Sequence, residues 1–475
     1  MGMFPSSFCF ALQYAHLTTF AMDLGVSAAF SSLIWLCGPV TGMLVQPLIG
    51  QLSDRYNSPL GKRRPFIIMG GCFLIVSEIL VAYVTDIGYV IGDRNRSHNR
   101  AICLFVFAFW VFDAANNTLA ISLRALLSDL LKDDELQRGF SLQQVWSSIG
   151  YVCGYFAAQL DWASIIPYGV GNFSVVCQQK CVLGEVSCPE EYIPGCMDLR
   201  FAFLTSALIT AGVIIIVCAI ARESTYVEVS EEPVRPPSPF KRPLFLSDLP
   251  IDFRVIYTAS LLSWFGWFSA LIYQVHFVAV EVAAHSKRSE HFAFVGLMTG
   301  SVLSGIVSTL LPFLTTGEKG AYRIWGFSCF LLSGILGCSP LVASSQSIWV
   351  GTIWLTLFGG VYAVSNSVPF SLIAHLVKEN GSQKTRNFQV LPPSAGRLLG
   401  LLNVAVCIPQ VLTALFGGAI NSRFSSDIPC FLIGALFASL AGALLIRTSK
   451  EKRRNFQVLP SEEPVPQLIG LKHNL

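Results

Sequence analysis

Charged residues are scarce in this chain: Asp, Glu, Lys and Arg make up 13% of its 475 residues, whereas hydrophobic residues make up 53%. A soluble domain carries about a quarter charged residues, so this composition argues against one. The net charge is only +3, and a nucleic-acid partner has no support. The sequence also lacks a recognisable nucleophile–base pair, metal-ligand cluster or nucleotide-binding loop. We therefore expect neither an enzyme nor a metal or cofactor site.

Long apolar runs take the place of charge. Stretches of about 20 residues, the length that crosses a bilayer as a helix, recur along the whole chain. The first run lacks the basic start of a cleavable signal and is interpreted as a spanning helix itself. The sequence predicts an all-α membrane protein with twelve transmembrane helices, at approximately 4–22, 29–49, 65–84, 101–128, 139–160, 200–221, 251–277, 292–314, 322–343, 348–375, 398–420 and 428–447.

The distribution of Lys and Arg predicts the orientation of these helices. When both termini are placed in the cytoplasm, the inner loops and C-terminal tail hold roughly three times as many Lys and Arg residues as the outer loops. Cytoplasmic loops of membrane proteins carry such an excess. We therefore expect both termini to be cytoplasmic.

The predicted outer loop at about 161–198 is rich in cysteine. Cysteines in an oxidising lumen favour two disulfides, for which three pairings exist. A zinc site and free thiols are the alternatives, although the close CxxC pairs typical of zinc sites are missing. Asn95 and Asn172 begin sequons on the outer side and are predicted glycosylation sites. The disulfide candidates are Cys177, Cys181, Cys188 and Cys196.

A segment rich in Pro, Ser and charge divides the chain in two. Residues 222–250 cannot bury a core with this composition and are interpreted as a cytoplasmic linker. The sequence thus predicts an N-terminal six-helix bundle at 1–221, a C-terminal six-helix bundle at 251–447 and a cytoplasmic tail at 448–475.

The loop between the second and third predicted helices carries a fairly specific motif. An apolar helix ends at Gly50-x-x-x-Asp54, and a basic cluster follows Gly61. The pattern resembles the helix 2–3 loop motif of the major facilitator superfamily, a family of solute transporters. The resemblance implies a twelve-helix fold of two six-helix bundles and a gate built from Asp54, Arg55, Arg63 and Arg64.

The fourth predicted helix concentrates polar residues at membrane depth. A carboxylate there is costly, and such residues are rare unless they line a cavity or relay protons. Asp113, Asn117 and Arg124 share one helix face because they are spaced by four and seven residues. Asp113 and Arg124 lie about 16 Å apart along the axis, too far for a direct salt bridge. They form either a coupling site or two structural anchors.

The same region carries a closer resemblance. Residues 33–66, together with Asp113-x-x-Asn116-Asn117-Thr118 and the run that begins at Arg124, resemble the plant-type sucrose:proton symporters. Matches in the fifth and eleventh helices are looser. The resemblance implies that Asp113 accepts and releases the proton and that Arg124 is its partner in transport. Protons would then be a co-substrate.

The seventh predicted helix departs from that family. The family has an acidic motif of the form FDTDWMGRE, whereas Gln274 and His276 replace its two aspartates here and Val280 replaces its arginine. Glu281 remains, and we expect it to gate the outer side or receive protons. Tyr151 stands where the family has an asparagine. These changes make transport of a sugar a safer prediction than transport of sucrose.

A sugar site needs amide and carboxylate groups for the hydroxyls and aromatic rings for the apolar ring faces, in a pocket between the two halves. Each candidate has a structural alternative as a packing residue or a bond between helices. The candidates in matching helices are Gln13, Asn117, Gln144, Trp264, Trp267, Asn366 and Gln410.

These observations favour proton-coupled symport of a sugar, sucrose or a related glycoside, by alternating access. An uncoupled facilitator and a non-transporting sugar sensor are the alternatives. The expected partners are a small-molecule sugar, protons and the lipid bilayer, for a monomer in the plasma membrane or, alternatively, the vacuolar membrane.

Overall fold

The computed structural model describes residues 1–26, 36–93, 98–165, 196–221, 223, 249–283, 289–382 and 394–457. Helices and no strands are found in these ranges. The twelve long ones are α1 (Met3–Asp23), α2 (Cys37–Arg55), α3 (Arg64–Ala82), α4 (Asn99–Leu130), α5 (Leu136–Ala158), α6 (Cys196–Ile220), α7 (Ile251–His276), α8 (Ser289–Leu314), α9 (Gly317–Gly337), α10 (Ile348–Ser382), α11 (Ala395–Phe424) and α12 (Ile428–Gln457).

Short helical segments accompany the long ones. A π-helix at Phe277–Val282 continues α7, and a 3₁₀ turn at Asp133–Glu135 joins α4 to α5. Three more short helices cover Val84–Ile91, Trp162–Ile165 and Ser339–Ser345.

Each predicted span coincides with one long helix, and the differences have physical causes. α10 and α12 continue to Ser382 and Gln457, past the predicted ends, because a helix can keep its backbone hydrogen bonds in water after its apolar stretch ends. The predicted span 322–343 lies within one membrane-spanning stretch, Gly317–Ser345, which contains a break: α9 ends at Gly337, and Pro340 lies in the first turn of the helix that follows, since proline cannot continue the previous one. The predicted start of the second span falls in 27–35, outside the described residues.

Nine helical stretches in the described ranges are long and apolar enough to cross a membrane, and α1, α2 and α5 are not among them. Polar side chains explain the lower hydropathy of α2 and α5. Gln46 of α2 and Gln144 of α5 are both buried inside the bundle. These helices therefore face neighbouring helices with polar groups that lipid would not tolerate.

The two halves repeat one packing pattern. In the first half, α1 packs on α5 and α6, α2 on α4, and α3 on α4 and α6. In the second half, α7 packs on α11 and α12, α8 on α10, and α9 on α10 and α12. The halves meet through α2 and α4 against α11, and α5 against α8 and α10. The predicted all-α fold of twelve helices in two six-helix bundles is confirmed.

Glycines allow the closest helix approaches. A Cβ atom at Gly50 of α2 would overlap the carbonyl oxygen of Gly396 in α11, so this contact joins the two halves. A Cβ at Gly359 of α10 would overlap the carbonyl oxygen of Gly300 in α8, a contact within the second half. Only glycine permits either approach.

These two contacts predict different effects of the same substitution. We call the interface between the halves, where α2, α4 and α5 meet α8, α10 and α11, the seam. Gly50→Val should push α2 away from α11 and open this seam, because each half can stay folded as the halves separate. The seam also encloses Cys407, which is 4% exposed. We expect the rate of Cys407 alkylation, followed by mass spectrometry, to rise about tenfold or more while the melting temperature changes little.

Gly359→Val is the matched variant, since the clash lies inside one bundle. Overpacking of this kind costs about 1–3 kcal/mol, and we expect a lower melting temperature without selective exposure of Cys407. Equal Cys407 labelling in wild type and Gly50→Val would contradict this assignment of the seam.

Candidate functional site

A cavity lies between the two halves and encloses about 560 Å³, its open mouth included. α1 and α5 line one side, and α7, α8 and α10 line the other. The lining residues are Tyr14, Ser148, Tyr151, Tyr155, Trp267, Leu271, Gln274, Leu297, Gly300, Ser301, Ser304, Leu355, Phe358, Gly359 and Tyr362.

Two tyrosines meet across the cavity. The Tyr151 and Tyr362 hydroxyls are 3.4 Å apart, and their rings pack edge to face with centroids 6.2 Å apart. Trp267 packs edge to face on Tyr362 at 5.3 Å, and its Nε1 donates a hydrogen bond to Ser365 Oγ at 3.0 Å. The indole and phenol rings are thus held in place, with polar groups at their edges.

Trp267 is the only one of the seven predicted substrate residues that lines this cavity. Trp264 packs behind it, with ring centroids 6.3 Å apart. Gln144 reaches the lining indirectly, since its Nε2 donates to Ser304 Oγ at 3.4 Å. Asn366 donates to the Tyr362 carbonyl at 3.2 Å. These contacts place Trp264, Gln144 and Asn366 just outside the lining.

Asn117 has a different environment. Its Oδ1 accepts a hydrogen bond from Gln46 Nε2 at 2.6 Å, and its Nδ2 donates to Thr41 Oγ1 at 3.1 Å and to the Asp113 carbonyl at 2.9 Å. In this conformation the amide bridges α2 and α4. Gln13 is buried on α1, and its Oε1 has no partner among the described residues.

Asp113 lies where α4 meets the first turn of α2. It is 1% exposed, and the Cys37 thiol donates a hydrogen bond to its Oδ2 at 2.6 Å. A Cβ at Gly38 would lie 3.7 Å from that oxygen and 3.6 Å from Nε2 of Gln410 on α11. Because glycine has no side chain, a gap about the size of a methyl group lies beside Gly38. Asp113 of the first half and Gln410 of the second half border this gap.

Arg124 is not paired with Asp113. Its guanidinium carbon lies 4.0 Å above the centre of the Phe370 ring in α10, a cation–π contact between the halves. Arg124 Nε has no hydrogen-bond partner among the described residues. The structure thus holds a half-buried cation at the seam, and none of the ion pairs found among the described residues includes it.

Three charges meet at one end of the bundle, which we call the basic end and define by residues 53–64, 129–135 and 394–397. Arg63 Nη2 lies 2.6 Å from Asp54 Oδ1, its Nε lies 2.7 Å from Asp129 Oδ2, and its Nη1 donates to Ser53 Oγ at 2.5 Å. Burial alone would lower the pKa of the Arg63 guanidinium, but the charges of Asp129 and Asp54 outweigh it, so the pKa lies above its ordinary value.

The Asp54 carboxylate also forms hydrogen bonds to the second half. Its Oδ2 accepts hydrogen bonds from Ser394 Oγ at 2.5 Å and from the Arg397 backbone N–H at 3.0 Å, and its Oδ1 lies 3.3 Å from the Gly396 nitrogen. A carboxylate at this position satisfies unpaired N–H groups of α11 and interacts favourably with the helix dipole. Asp54 therefore fastens α2 to the start of α11.

The other predicted gate residues have separate roles. The Glu223 carboxylate accepts backbone N–H bonds from Lys62, Arg63 and Arg64, at 2.6–3.1 Å, and lies 4.0 Å from Arg64 Nε. Arg64 thus belongs to the junction of α3 with the residues that follow α6. Arg55 is exposed.

Further contacts close the basic end beneath the cavity. Phe140 stacks on Phe370 at 6.5 Å, and Ser371 Oγ donates to the Gln137 side chain. His375 Nδ1 lies 2.6 Å from Asp133 Oδ1. Gln137 and Phe140 of α5, together with Phe370, Ser371 and His375 of α10, lie between the cavity and the basic end. The cavity is therefore closed on that side.

Glu281 contacts residues of its own half. Its Oε2 accepts a hydrogen bond from Ser426 Oγ at 2.7 Å, and its Oε1 accepts one from the Asp427 backbone N–H at 2.6 Å. His276 Nδ1 lies 2.7 Å from Asp427 Oδ2. These contacts fasten the end of α7 to the turn between α11 and α12. A gating role of Glu281 stays a prediction.

Several predicted sites fall outside the described residues: Cys177, Cys181, Cys188, Asn95 and Asn172. Cys196 begins α6 and is disulfide-bonded, with a partner that is not among the described residues. Groups of three or more His, Cys, Asp or Glu side chains able to hold a metal are absent from the described ranges.

Sequence reasoning missed the tyrosines. Tyr14, Tyr151, Tyr155 and Tyr362 line the cavity, yet only Tyr151 attracted attention, as a departure from a family pattern. A signal existed: Ser148, Tyr151 and Tyr155 are spaced by three and four residues and share one face of α5. Which face meets the other half depends on helix rotation, and the sequence alone does not specify it.

Comparison with known proteins gives a consistent result. The family model described as "Major Facilitator Superfamily" matches residues 1–384. A sucrose transport protein of Arabidopsis thaliana, SUC4, is 29% identical over 469 residues, which cover 92% of this chain and 86% of that protein. A sucrose transport protein of Oryza sativa subsp. japonica, SUT2, is 29% identical over 479 residues, which cover 92% and 89%.

Solved structures share the fold at low sequence identity. The human organic anion transporter MFSD10 (TETRAN) superposes with a TM-score of 0.62 at 15% identity and covers 94% of this chain and 97% of its own. The proton:xylose symporter XylE, bound to 6-bromo-6-deoxy-D-glucose, gives 0.63 at 12% identity and covers 94% of both chains. The likeness to these structures concerns the fold alone.

The contacts of Asp54 generate a prediction that needs no knowledge of the ligand. Asp54→Asn removes the charge that binds the first turn of α11, and hydrogen bonds to charged groups are worth about 1.5–3 kcal/mol. We expect the amides of residues 396–400 to exchange hydrogen about tenfold faster or more by mass spectrometry. Arg55→Gln, next to it but exposed, should leave exchange unchanged. Equal exchange in Asp54→Asn and wild type would show that Asp54 does not fasten α11.

Proposed function

The chain belongs to the major facilitator superfamily, and on that premise we propose that it carries a sugar across a membrane together with protons, by alternating access. Sucrose or a related glycoside is the proposed substrate. The observation that carries the proposal is the placement of Asp113, a buried carboxylate beside the seam between the halves, in a chain 29% identical to sucrose transport proteins over nine-tenths of its length.

The cavity supports a sugar as the substrate. Aromatic faces of Trp267, Tyr151 and Tyr362 can pack on the apolar faces of a sugar ring, while Ser304 and Gln274 offer hydrogen bonds to hydroxyls. Charged side chains are not among the lining residues. A neutral polyol suits such a surface better than an ion.

The contacts between the halves support alternating access. In this conformation Asp54 fastens α2 to α11 and the contacts of Gln137 and His375 close the same end. Transport requires these bonds to break while the opposite end closes over the cavity. Because each half has its own helix packing, the two bundles can rock about the cavity without unfolding.

Asp113 supplies the proton coupling in this proposal. Protonation neutralises a charge that is otherwise buried without a cation, and the neutral carrier can then reorient with its sugar. Release of the proton on the other side resets the carrier. Each proton that moves down 100 mV contributes about 2.3 kcal/mol, enough for about fiftyfold accumulation of a neutral sugar.

Arg124 is the proposed partner of Asp113 during the transport cycle. The two residues do not form an ion pair in this conformation. Its guanidinium rests on Phe370 of the second half, so its surroundings change when the halves move. The positive charge at the seam can attract the carboxylate or a sugar hydroxyl in another conformation. Gln410, across the Gly38 gap from Asp113, is the proposed link between sugar and proton.

The remaining expectations complete the proposal. The protein would act as a monomer without a cofactor, in the plasma membrane or else the vacuolar membrane. Both termini would be cytoplasmic, which makes the basic end the cytoplasmic end. The two bundles would be joined by the linker at 222–250 and followed by the tail at 448–475.

The decisive experiment is radiolabelled sucrose uptake at pH 5 and pH 7 into cells that lack sugar transport. We expect acid-stimulated uptake that Asp113→Asn loses, because an amide cannot carry the proton. Glu78→Gln is the matched control, since Glu78 is a second fully buried carboxylate but belongs to the interior of the first half.

The alternatives give different results. Sustained uptake that ignores pH and Asp113→Asn would identify an uncoupled facilitator. No uptake of sucrose or of a panel of glycosides, by protein shown to be at the cell surface, would favour the non-transporting sensor.

The two neighbouring tryptophans test the sugar site. Trp267→Ala removes a ring that lines the cavity, and we expect the KM for the transported sugar to rise about tenfold or more. Trp264→Ala truncates the ring behind it, so we expect poorer thermal stability with a much smaller change in KM. A KM effect of Trp264→Ala equal to that of Trp267→Ala would argue against this cavity as the sugar site.

A further inference from the structure

Two buried carboxylates of the first half accept a hydrogen bond from a cysteine. The Cys37 thiol donates to Asp113 Oδ2 at 2.6 Å, and the Cys9 thiol donates to Glu78 Oε1 at 2.7 Å. Both cysteines are fully buried. Cysteine is a small apolar side chain with a weak S–H donor, so its pairing with a carboxylate in both places needs a reason.

The two pairs differ in what surrounds them. Glu78 Oε1 also accepts a hydrogen bond from Ser206 Oγ at 2.6 Å, and the cluster lies among α1, α3 and α6 of one half. Asp113 lies beside the gap at Gly38, which Gln410 of the second half borders. Cys37 therefore touches a carboxylate at the seam between the halves, whereas Cys9 touches one enclosed within the first half.

Among the polar groups around Asp113, the Cys37 thiol is the one that forms a hydrogen bond to its carboxylate in the described part of the chain. Cys37 faces it from α2, and the Tyr14 hydroxyl interacts with it electrostatically from α1. From α11, Gln410 and the Cys407 thiol lie along the same seam, and on α4 itself Arg124 is about 16 Å away along the axis. No ion pair in the described part of the chain includes Asp113.

We propose that Cys37 is a positioning residue for proton coupling: its thiol holds the Asp113 carboxylate at the first turn of α2 and sets the pH at which that carboxylate takes up its proton. The inference rests on the proposed function, in which Asp113 carries the proton. A thiol is a donor to an ionised carboxylate but only a weak acceptor from a protonated one. The contact therefore favours the ionised form over the protonated form.

The same contact links protonation to conformation. When Asp113 takes a proton, the bond from the thiol loses its charged acceptor, and the carboxyl group is free to turn towards the gap at Gly38. A turn in that direction brings it towards Gln410, across the seam. Cys37 thus holds the carboxylate in the first half until it is neutralised.

The test compares Cys37→Ala, which removes the donor, with Cys37→Ser, which replaces it by a hydroxyl. Loss of one net hydrogen bond to the ionised carboxylate corresponds to a shift of about 0.4–1 pH unit. We expect the pH of half-maximal uptake to rise by that amount in Cys37→Ala and to stay close to the wild-type value in Cys37→Ser. Cys9→Ala is the matched control and should leave the pH profile unchanged.

A second readout does not depend on transport. Infrared spectroscopy of the purified protein in lipid vesicles follows the carbonyl stretch of protonated carboxyl groups as the pH changes, and the difference from Asp113→Asn isolates the Asp113 band. We expect the midpoint of this band to move to higher pH in Cys37→Ala, by the same 0.4–1 unit, and not in Cys9→Ala.

The two readouts separate the two hypotheses. If no sugar is taken up but the infrared midpoint moves as expected, the proposed function fails and the role of Cys37 at Asp113 stands. If uptake is acid-stimulated and lost in Asp113→Asn, yet neither midpoint moves in stably folded Cys37→Ala, the inference is overturned. A shift in Cys9→Ala as large as that in Cys37→Ala would also overturn it.

Discussion

A carboxylate in the apolar interior of a membrane protein is stable only while it is neutral or well paired, and this constraint governs the whole arrangement around Asp113. Its hydrogen-bond donor is a thiol, and no ion pair among the described residues includes it. The cost of such a charge is relieved by a proton, a cation or water. Asp113 lies beside the seam between the halves, where Gly38 leaves room for about one methyl group.

Different kinds of contact join the two halves at the two levels of the seam. At the basic end it is fastened by charge, because Asp54 binds both Arg63 and the first N–H groups of α11. At the cavity it is lined by aromatic rings that meet edge to face, with few hydrogen bonds between them. The contacts at both levels of the seam join separate bundles, so in the proposed cycle they could break without unfolding either bundle. That property is what alternating access requires.

Hydropathy and spacing were sufficient to place the helices and to separate Asp113 from Arg124, because both depend only on the bilayer thickness and the rise of a helix. They were not sufficient to assign partners. Asn117 is a predicted sugar ligand, and the sequence did not indicate that in this conformation its amide bonds Gln46 and Thr41, since the glycines of α2 allow that helix to approach α4 and α11 closely. The tyrosines of the cavity depend on helix rotation, which hydropathy does not encode.

The two buried carboxylates show why position decides which one can couple. When two rigid bundles rock, the contacts inside each bundle persist and only those across the seam change. Glu78 keeps Cys9 and Ser206 as neighbours throughout such a motion, so its affinity for a proton has no reason to alternate. Asp113 borders Gln410 of the other bundle, so its surroundings would change in such a motion. The proposed coupling needs a proton affinity that changes with conformation, and of these two buried carboxylates Asp113 is the one placed to provide it.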